Sequence, residues 1–455
     1  MAREGDPIRP VRGRRLRVAA LCAWALVPAG AGAAVVPQVE WETRTPEQVG
    51  LRTSSLDGLR LYLGGRGAVV RHGYLVYSWG DASVREDVAS AAKPLYSHFL
   101  FEAVEHGLLP SLDARSSLRG ASCLATLNPE LGYKDRLITF RHMANQMSCY
   151  GVLEPPGRAF NYNDWQIALF WDTLFLRVWN STYATVDGSV VGPQLASILR
   201  FQDAPTMMAF GTEDRPGRLA ISPRDFCRFG LLYLRRGDWD GVRVLSEELA
   251  LTSVTRTLPL EVPRTESEVA DMCAGQRTLG STSVPDDQID HDGGYSWGWW
   301  VNGRTASGAR RWPSAEANVY AALGHEERRG MAVVPCLDMV VAWNDGTPHA
   351  VDQVLYKLYE AASAVPGRLP RPVGPVLRLS RPDAGTVRLD WSQDPSAPRG
   401  SGEHYHVLRG TDPSSLDLAP GTHPRTTTEF SESTAGPLVF YRVVAASACE
   451  QVGED

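Results

Sequence analysis

Apolar positions change rhythm three times along the chain. Val69, Val70, Leu75, Val76 and Tyr77 flank the dipeptide His72-Gly73, two β-rich runs about a short turn, and this predicts a β-hairpin. A helical rhythm follows, in which Leu95, Phe99 and Val104 share one face. That helix is expected to begin near Ser90 and end at Gly107, with Pro110 beyond it. Pro94 falls in the first turn, where backbone N–H groups have no intrahelical partner, so it is tolerated there. Residues 222–236 read as a second helix, with Ser222 as N-cap and Pro223 in the first position. Four short β-rich runs come next, at 297–302, 319–323, 331–334 and 339–343, followed by a helix over 349–362. The pattern predicts an α/β (α+β) domain, an antiparallel sheet flanked by helices.

Beyond it only strand alternation remains. Residues 365–372 are rich in Pro, Gly and Arg and form a stiff linker by composition. Residues 376–379, 387–391, 405–408 and 439–445 alternate apolar with polar between Pro/Gly/Ser/Asp loops. With Trp391 as a core candidate and Tyr441 in the penultimate strand, they predict a small β-sandwich. A chain of 455 residues exceeds one ordinary domain. The expected order is a leader over 1–33, a larger domain over 38–364, a linker over 365–372 and the sandwich over 373–449.

The leader follows from charge and length. Arg12, Arg14, Arg15 and Arg17 precede an apolar run over 18–27, and Ala31-Gly32-Ala33 offers an A-x-A cleavage signal. This run is too short for a bilayer, which takes about 18 apolar residues or more, and no later run is longer. No membrane span is expected, and the mature protein is expected in the periplasm or outside the cell. Removing the six arginines and two acids of residues 1–33 takes the formal net charge from −6 to −10. An acidic chain without a basic stripe argues against nucleic acid as a partner. Six cysteines remain (Cys123, Cys149, Cys227, Cys273, Cys336 and Cys449) without C-x-x-C spacing, so zinc and thioredoxin readings fail and pairing stays open.

One bias sharpens the search for chemistry. Only three of the 46 Lys and Arg residues are lysine: Lys93, Lys134 and Lys357. A lysine that survives such a bias is a candidate for work that a permanently charged guanidinium cannot do. Lys93 closes the run Ser90-Ala91-Ala92-Lys93 at a predicted helix start, where a spacing of three places hydroxyl and amine on one face. The amine can take the hydroxyl proton, and the helix N-terminus offers N–H groups to a developing oxyanion. Chance alone gives a serine three residues before one of three lysines in roughly one chain in five. The motif is therefore read with its company.

That company is Pro156-Gly157-Arg158-Ala159-Phe160-Asn161-Tyr162-Asn163-Asp164. With Ser90-x-x-Lys93 ahead of it, the chain resembles the serine β-lactamase-related family of penicillin-binding-protein and class C type over residues 40–362. The resemblance implies a β-lactamase/transpeptidase-like fold, with Tyr162 at the position of the catalytic tyrosine that relays protons between Ser90, Lys93 and the leaving group. Asp164 stands where many members carry Asn, which puts direct amide recognition of substrate in question. The family's third element is matched by Ala322-Leu323-Gly324 followed by His325. Gly324 would let the strand approach substrate, and the His325 N–H would join the Ser90 N–H as oxyanion hole. Ala322 supplies no cation for a substrate carboxylate, which disfavours a true β-lactamase or D-Ala-D-Ala peptidase. Residues 373–449 resemble a fibronectin type III module.

The other signals are weaker. Gly294-Tyr295-Ser296-Trp297-Gly298 spells the G-x-S-x-G elbow of α/β-hydrolases, but strand and turn residues follow Ser296 where a helix is required. Asp286, Asp287, Asp290 and Asp292 lack metal-ligand spacing, and Cys149 reads as a structural thiol. No metal and no cofactor is implied. The expected function is an exported serine hydrolase that cleaves a small-molecule ester or amide through an acyl-enzyme on Ser90. The alternative is a catalytically degenerate binding protein on the same fold, acting through its C-terminal sandwich on cell wall or polysaccharide.

Overall fold

The computed structural model describes residues 35–207, 216–255, 258–266, 268–280, 289–347, 350–362, 373–383, 386–393, 404–412, 415–418, 429–433 and 439–446. The expected leader and linker lie outside them, as do Asp286, Asp287 and Cys449. Five of the described helices and the seven strands of the main sheet position the site. The helices are α1 (Thr53–Leu63), α2 (Lys93–Glu105), α3 (Asp164–Trp171), α4 (Pro223–Leu234) and α5 (Val351–Ala362). The strands are β1 (Arg66–Arg71), β2 (Tyr74–Trp79), β3 (Tyr295–Ser296), β4 (Trp299–Val301), β5 (Tyr320–Gly324), β6 (Arg329–Val334) and β7 (Met339–Asn344).

These strands form one antiparallel sheet in the order β2-β1-β7-β6-β5-β4-β3. Successive side chains of a strand face opposite sides, and both sides are covered. Val69, Val341, Ala332 and Ala321 pack with Leu56, Leu59 and Leu63 of α1 and Val354, Leu355 and Leu358 of α5. The alternate residues Ala68, Val70, Ala342, Met331 and Val333 pack with Leu95 and Phe99 of α2 and Phe226 and Phe229 of α4. Fully burying each such large side chain stabilises the fold by about 1.5–3 kcal/mol. The central strands β5, β6 and β7 therefore read as near-continuous apolar runs, buried on both faces, whereas the edge strand β2 is only partly buried.

The predicted β1–β2 hairpin forms, with φ of 55° at His72 and 83° at Gly73, the left-handed pair that a tight hairpin turn requires. Ser222 caps α4 as expected, accepting from the Asp225 N–H at 3.2 Å. Cys123 and Cys273, 150 residues apart in sequence, are joined in a disulfide, a pairing that the sequence left open.

The C-terminal part consists of β8 (Val373–Asp383), β9 (Thr386–Gln393), β10 (His404–Asp412), β11 (Ser415–Leu418), β12 (Glu429–Ser433) and β13 (Phe440–Ala446). They make two three-stranded antiparallel sheets, β8-β9-β12 and β11-β10-β13. Leu389, Trp391 and Phe430 of the first share a core with Val407 and Val443 of the second, so the small sandwich is present. No described helix is long and apolar enough to cross a membrane.

Candidate active site

Ser90 lies one turn earlier than the α-helix. Residues Ala89–Ala92 form a 3₁₀ turn that runs into α2 at Lys93. The expected α-helical start is thus replaced by i→i+3 geometry, with the Lys93 N–H bonded to the Ser90 carbonyl. The change matters for the pair: with three residues per turn, side chains at i and i+3 eclipse one another. Lys93 Nζ accordingly donates to Ser90 Oγ at 2.6 Å.

The same amine reaches two more groups. It donates to Tyr162 Oη at 2.9 Å and lies 3.7 Å from Asp164 Oδ1. Tyr162 is fixed immediately ahead of α3, whose N-cap Asn163 accepts from the Gln166 N–H at 2.8 Å. Its ring is walled by Phe160, Tyr295 and Trp300, with Trp300 stacked on it at 6.2 Å between centroids. Burial pushes the Tyr295 phenol well above its ordinary range, so that neighbour stays neutral.

Two close approaches lock this arrangement. A Cβ on Gly324 would fall 3.0 Å from the Ser90 nitrogen and 2.4 Å from the Val88 carbonyl oxygen. Only glycine lets the end of β5 lie against the Ser90 amide. A Cβ on Gly298 would fall 2.7 Å from the Lys93 carbonyl carbon, so the β3–β4 turn presses on the start of α2 in the same way.

Ser90, Lys93, Tyr162, Asp164, Gly324 and His325 all line one cleft of roughly 700 Å³. His325 is solvent-exposed on its rim, with φ of 46°. Among the lining residues not anticipated from sequence are Arg218, Trp300 and Arg311. The Arg311 guanidinium sits 4.2 Å over the Trp300 ring, which itself stacks on Tyr162. Arg218 pairs with Asp87. Nothing local in the sequence marks either arginine among so many. Ala322, weighed above as the place for a cation, is fully buried in the core, and the cations that do line the cleft come from elsewhere.

The decoys resolve on geometry. Ser296 is buried in β3 and is followed by a turn at Trp297-Gly298 and then by β4, so no strand-to-helix elbow exists there. Cys149 is buried beside Val152 and Ala159, its thiol raised to about 11 by burial, and it does not line the cleft. Among the described residues, Asp290 and Asp292 included, no group of His, Cys, Asp or Glu could hold a metal ion.

No protein-family model matches the chain, and no curated protein does. Solved structures similar to it include a putative 6-aminohexanoate-dimer hydrolase from Bacillus anthracis (15% identical, 72% of this chain and 89% of that chain covered, TM-score 0.47), β-lactamases and a penicillin-binding-protein homologue. A β-lactamase from Mycobacterium bovis is 15% identical, with 68% of this chain and 97% of that chain covered and a TM-score of 0.44. A class C β-lactamase from Rhodobacter sphaeroides is 16% identical, with 68% and 97% covered and a TM-score of 0.41. A penicillin-binding-protein homologue from Caulobacter crescentus is 12% identical, with 71% and 99% covered and a TM-score of 0.44. All four TM-scores lie below 0.5 and all four identities below 25%, so what the cleft does chemically rests on its own residues.

Proposed function

We propose that the protein is a serine hydrolase acting on a small ester or amide. One observation carries this reading: a single buried amine, Lys93 Nζ, bonds to both the Ser90 hydroxyl and the Tyr162 phenol inside an open cleft. Ser90 Oγ attacks the acyl carbon while its proton passes to Lys93 Nζ, and the negative charge collects on the carbonyl oxygen. In this reading the Ser90 N–H and the His325 N–H receive that oxyanion, supported by the close approach of Gly324 to the Ser90 nitrogen. The bond to the leaving group then breaks, and its proton comes through Tyr162 and Lys93. Water, deprotonated by the same relay, releases the acid and restores the Ser90 hydroxyl.

Export through a leader cleaved near Ala34 belongs to the same proposal, supported by the Arg-flanked apolar run and by a disulfide that an oxidising compartment would maintain. So does a fibronectin type III-like role for the C-terminal sandwich, supported by its two three-stranded sheets and the buried Trp391. The test is covalent. A fluorophosphonate probe followed by intact-mass measurement should add one adduct to the wild type, mapped to Ser90, and none to Ser90→Ala. A wild type that stays unlabelled while turning over no p-nitrophenyl ester overturns the hydrolase reading in favour of a binding protein.

A further inference from the structure

Ala89, the residue before the nucleophile, has a φ of 48°. Left-handed backbone is uncommon for a residue with a Cβ, and neither a glycine nor an Asn/Asp side chain is present to ease it. Something outside Ala89 must hold it there. The neighbouring contacts show what does. The Ala89 N–H donates to Asp87 Oδ1 at 2.8 Å. The other carboxylate oxygen, Oδ2, accepts from Arg218 and, at 3.1 Å, from Arg329. Asp87 is buried and is itself fixed in a two-residue strand pairing, Glu86 to Ile221 and Asp87 to Ala220. Its two arginines come from different elements: Arg218 lines the cleft, and Arg329 begins β6.

The consequence for Ser90 is geometric. The left-handed step at Ala89 turns the chain out of that short strand and into the 3₁₀ turn that eclipses Ser90 with Lys93. Ala89 also lines the cleft, and the Val88 carbonyl beside it accepts from the Ala91 N–H at 3.1 Å. A relaxed φ at Ala89 would swing Ser90 away from both Lys93 and Gly324.

We propose that Asp87, clamped between Arg218 and Arg329, is the positioning residue that holds Ala89 left-handed and so aims the Ser90 hydroxyl at Lys93. It touches no substrate and acts only through Ala89. The inference rests on the hydrolase reading for its kinetic consequence but not for its structural one, and the experiment keeps the two apart.

The variants are Asp87→Ala, Asp87→Asn, Ala89→Gly and the double variant Asp87→Ala/Ala89→Gly, each checked for folding by near-UV circular dichroism. Asp87→Ala should slow fluorophosphonate acylation of Ser90 by about tenfold to a hundredfold, the scale of a misplacement near 1 Å. Asp87→Asn keeps one oxygen for the Ala89 N–H but turns an amide NH₂ toward the arginines, so it should fall between wild type and Asp87→Ala. Glycine adopts positive φ at no steric cost. The Asp87→Ala penalty, measured as a ratio, should therefore shrink to about a third or less in the Ala89→Gly background, a coupling that a purely structural ion pair would not show. Equal penalties in both backgrounds, or an Asp87→Ala enzyme that acylates like wild type, overturn the proposal. A crystal structure of Asp87→Ala decides independently of activity: Ala89 should leave the left-handed region, or Ser90 Oγ should move out of hydrogen-bonding distance of Lys93. If both stay in place, Asp87 is not the positioning residue, whatever the probe shows. If the wild type takes no probe, the hydrolase reading fails while the crystallographic result still decides the role of Asp87.

Discussion

Replacing Lys93 with Arg separates charge from basicity. The Lys93 side chain is 4% exposed, and its amine meets two hydroxyl groups at 2.6 Å and 2.9 Å with a carboxylate at 3.7 Å. A guanidinium can still attract Asp164 and donate to both oxygens, so a purely electrostatic role survives the change. It stays protonated at any workable pH and has no lone pair to accept the Ser90 proton. General-base assistance contributes about 10²- to 10⁴-fold in rate, equivalent to about 3–5 kcal/mol of barrier. Lys93→Arg should lower kcat/KM for p-nitrophenyl acetate by that factor. The larger head group enters a buried position, and such overpacking costs about 1–3 kcal/mol of stability. Assays therefore belong well below the melting temperature of the variant, with circular dichroism showing a folded protein. A companion, Lys93→Ala, leaves space for a small primary amine, and added amine should restore part of the rate in proportion to its unprotonated concentration. If Lys93→Arg keeps kcat/KM within about threefold of wild type, far short of the general-base range, Lys93 is not the base and the relay is wrong.

Three further outcomes test the frame around the site. Burial alone would raise the Asp338 carboxyl, but hydrogen bonds from His72 and Arg235 override it and hold the group at about 2, against 3.8 ordinarily. A depressed carboxyl stabilises the fold above its unfolded value and ceases to do so as pH falls through the folded one. Asp338→Asn should thus cost about 1–2 kcal/mol at pH 7, a deficit that shrinks between about pH 4 and 2, and a pH-independent deficit in denaturant titrations would contradict this. Cys123→Ser/Cys273→Ser opens a link across 150 residues and should lower unfolding stability by about 2–5 kcal/mol, with an unchanged denaturation midpoint as the contrary result. Lys134→Arg should reduce the melting temperature while leaving kcat/KM at the wild-type value, since Lys134 bonds to Asp135 and the Cys149 carbonyl away from the cleft; a loss of turnover without a loss of stability would overturn that assignment.

What the sequence made legible was local. The His72-Gly73 hairpin, the Ser222-Pro223 helix start and the β-rich runs at 319–323, 331–334 and 339–343 each carry their signal within a few residues, and each formed; the run at 297–302 is shortened to Trp299–Val301, because Trp297-Gly298 turn the chain. Ser90 and Lys93 were legible for the same reason, their spacing being three residues. Tyr162 needed a resemblance, because nothing in its own neighbourhood says that it will meet an amine 69 positions away. The disulfide, the Arg311–Trp300–Tyr162 stack and the Asp87 clamp were not legible, since each joins segments far apart in the chain through one side chain apiece. The 3₁₀ turn at Ser90 was hidden for another reason. Its cause is the left-handed φ at Ala89, and an alanine gives no warning of one.

The scarcity of lysine pointed to Lys93 but did not by itself isolate it. Lys357 lies near the Tyr62 ring, at 5.6 Å from its centroid, and shares no feature with the site. Lys134 is almost as buried as Lys93 and is also held by two hydrogen bonds, so burial alone does not tell the two apart. The difference lies in the partners. Lys134 faces a carboxylate and a backbone carbonyl, two acceptors with no proton to give. Lys93 faces two hydroxyl groups, each of which carries a removable proton, and one of them stands at the mouth of a cleft against a strand end that only glycine permits. A lysine between acceptors has no proton to take from them, whereas a lysine between hydroxyls can pass a proton from one to the other. The catalytic assignment therefore rests on what surrounds Lys93, and the residues that create those surroundings are Asp87, Ala89, Gly298 and Gly324 as much as the amine itself.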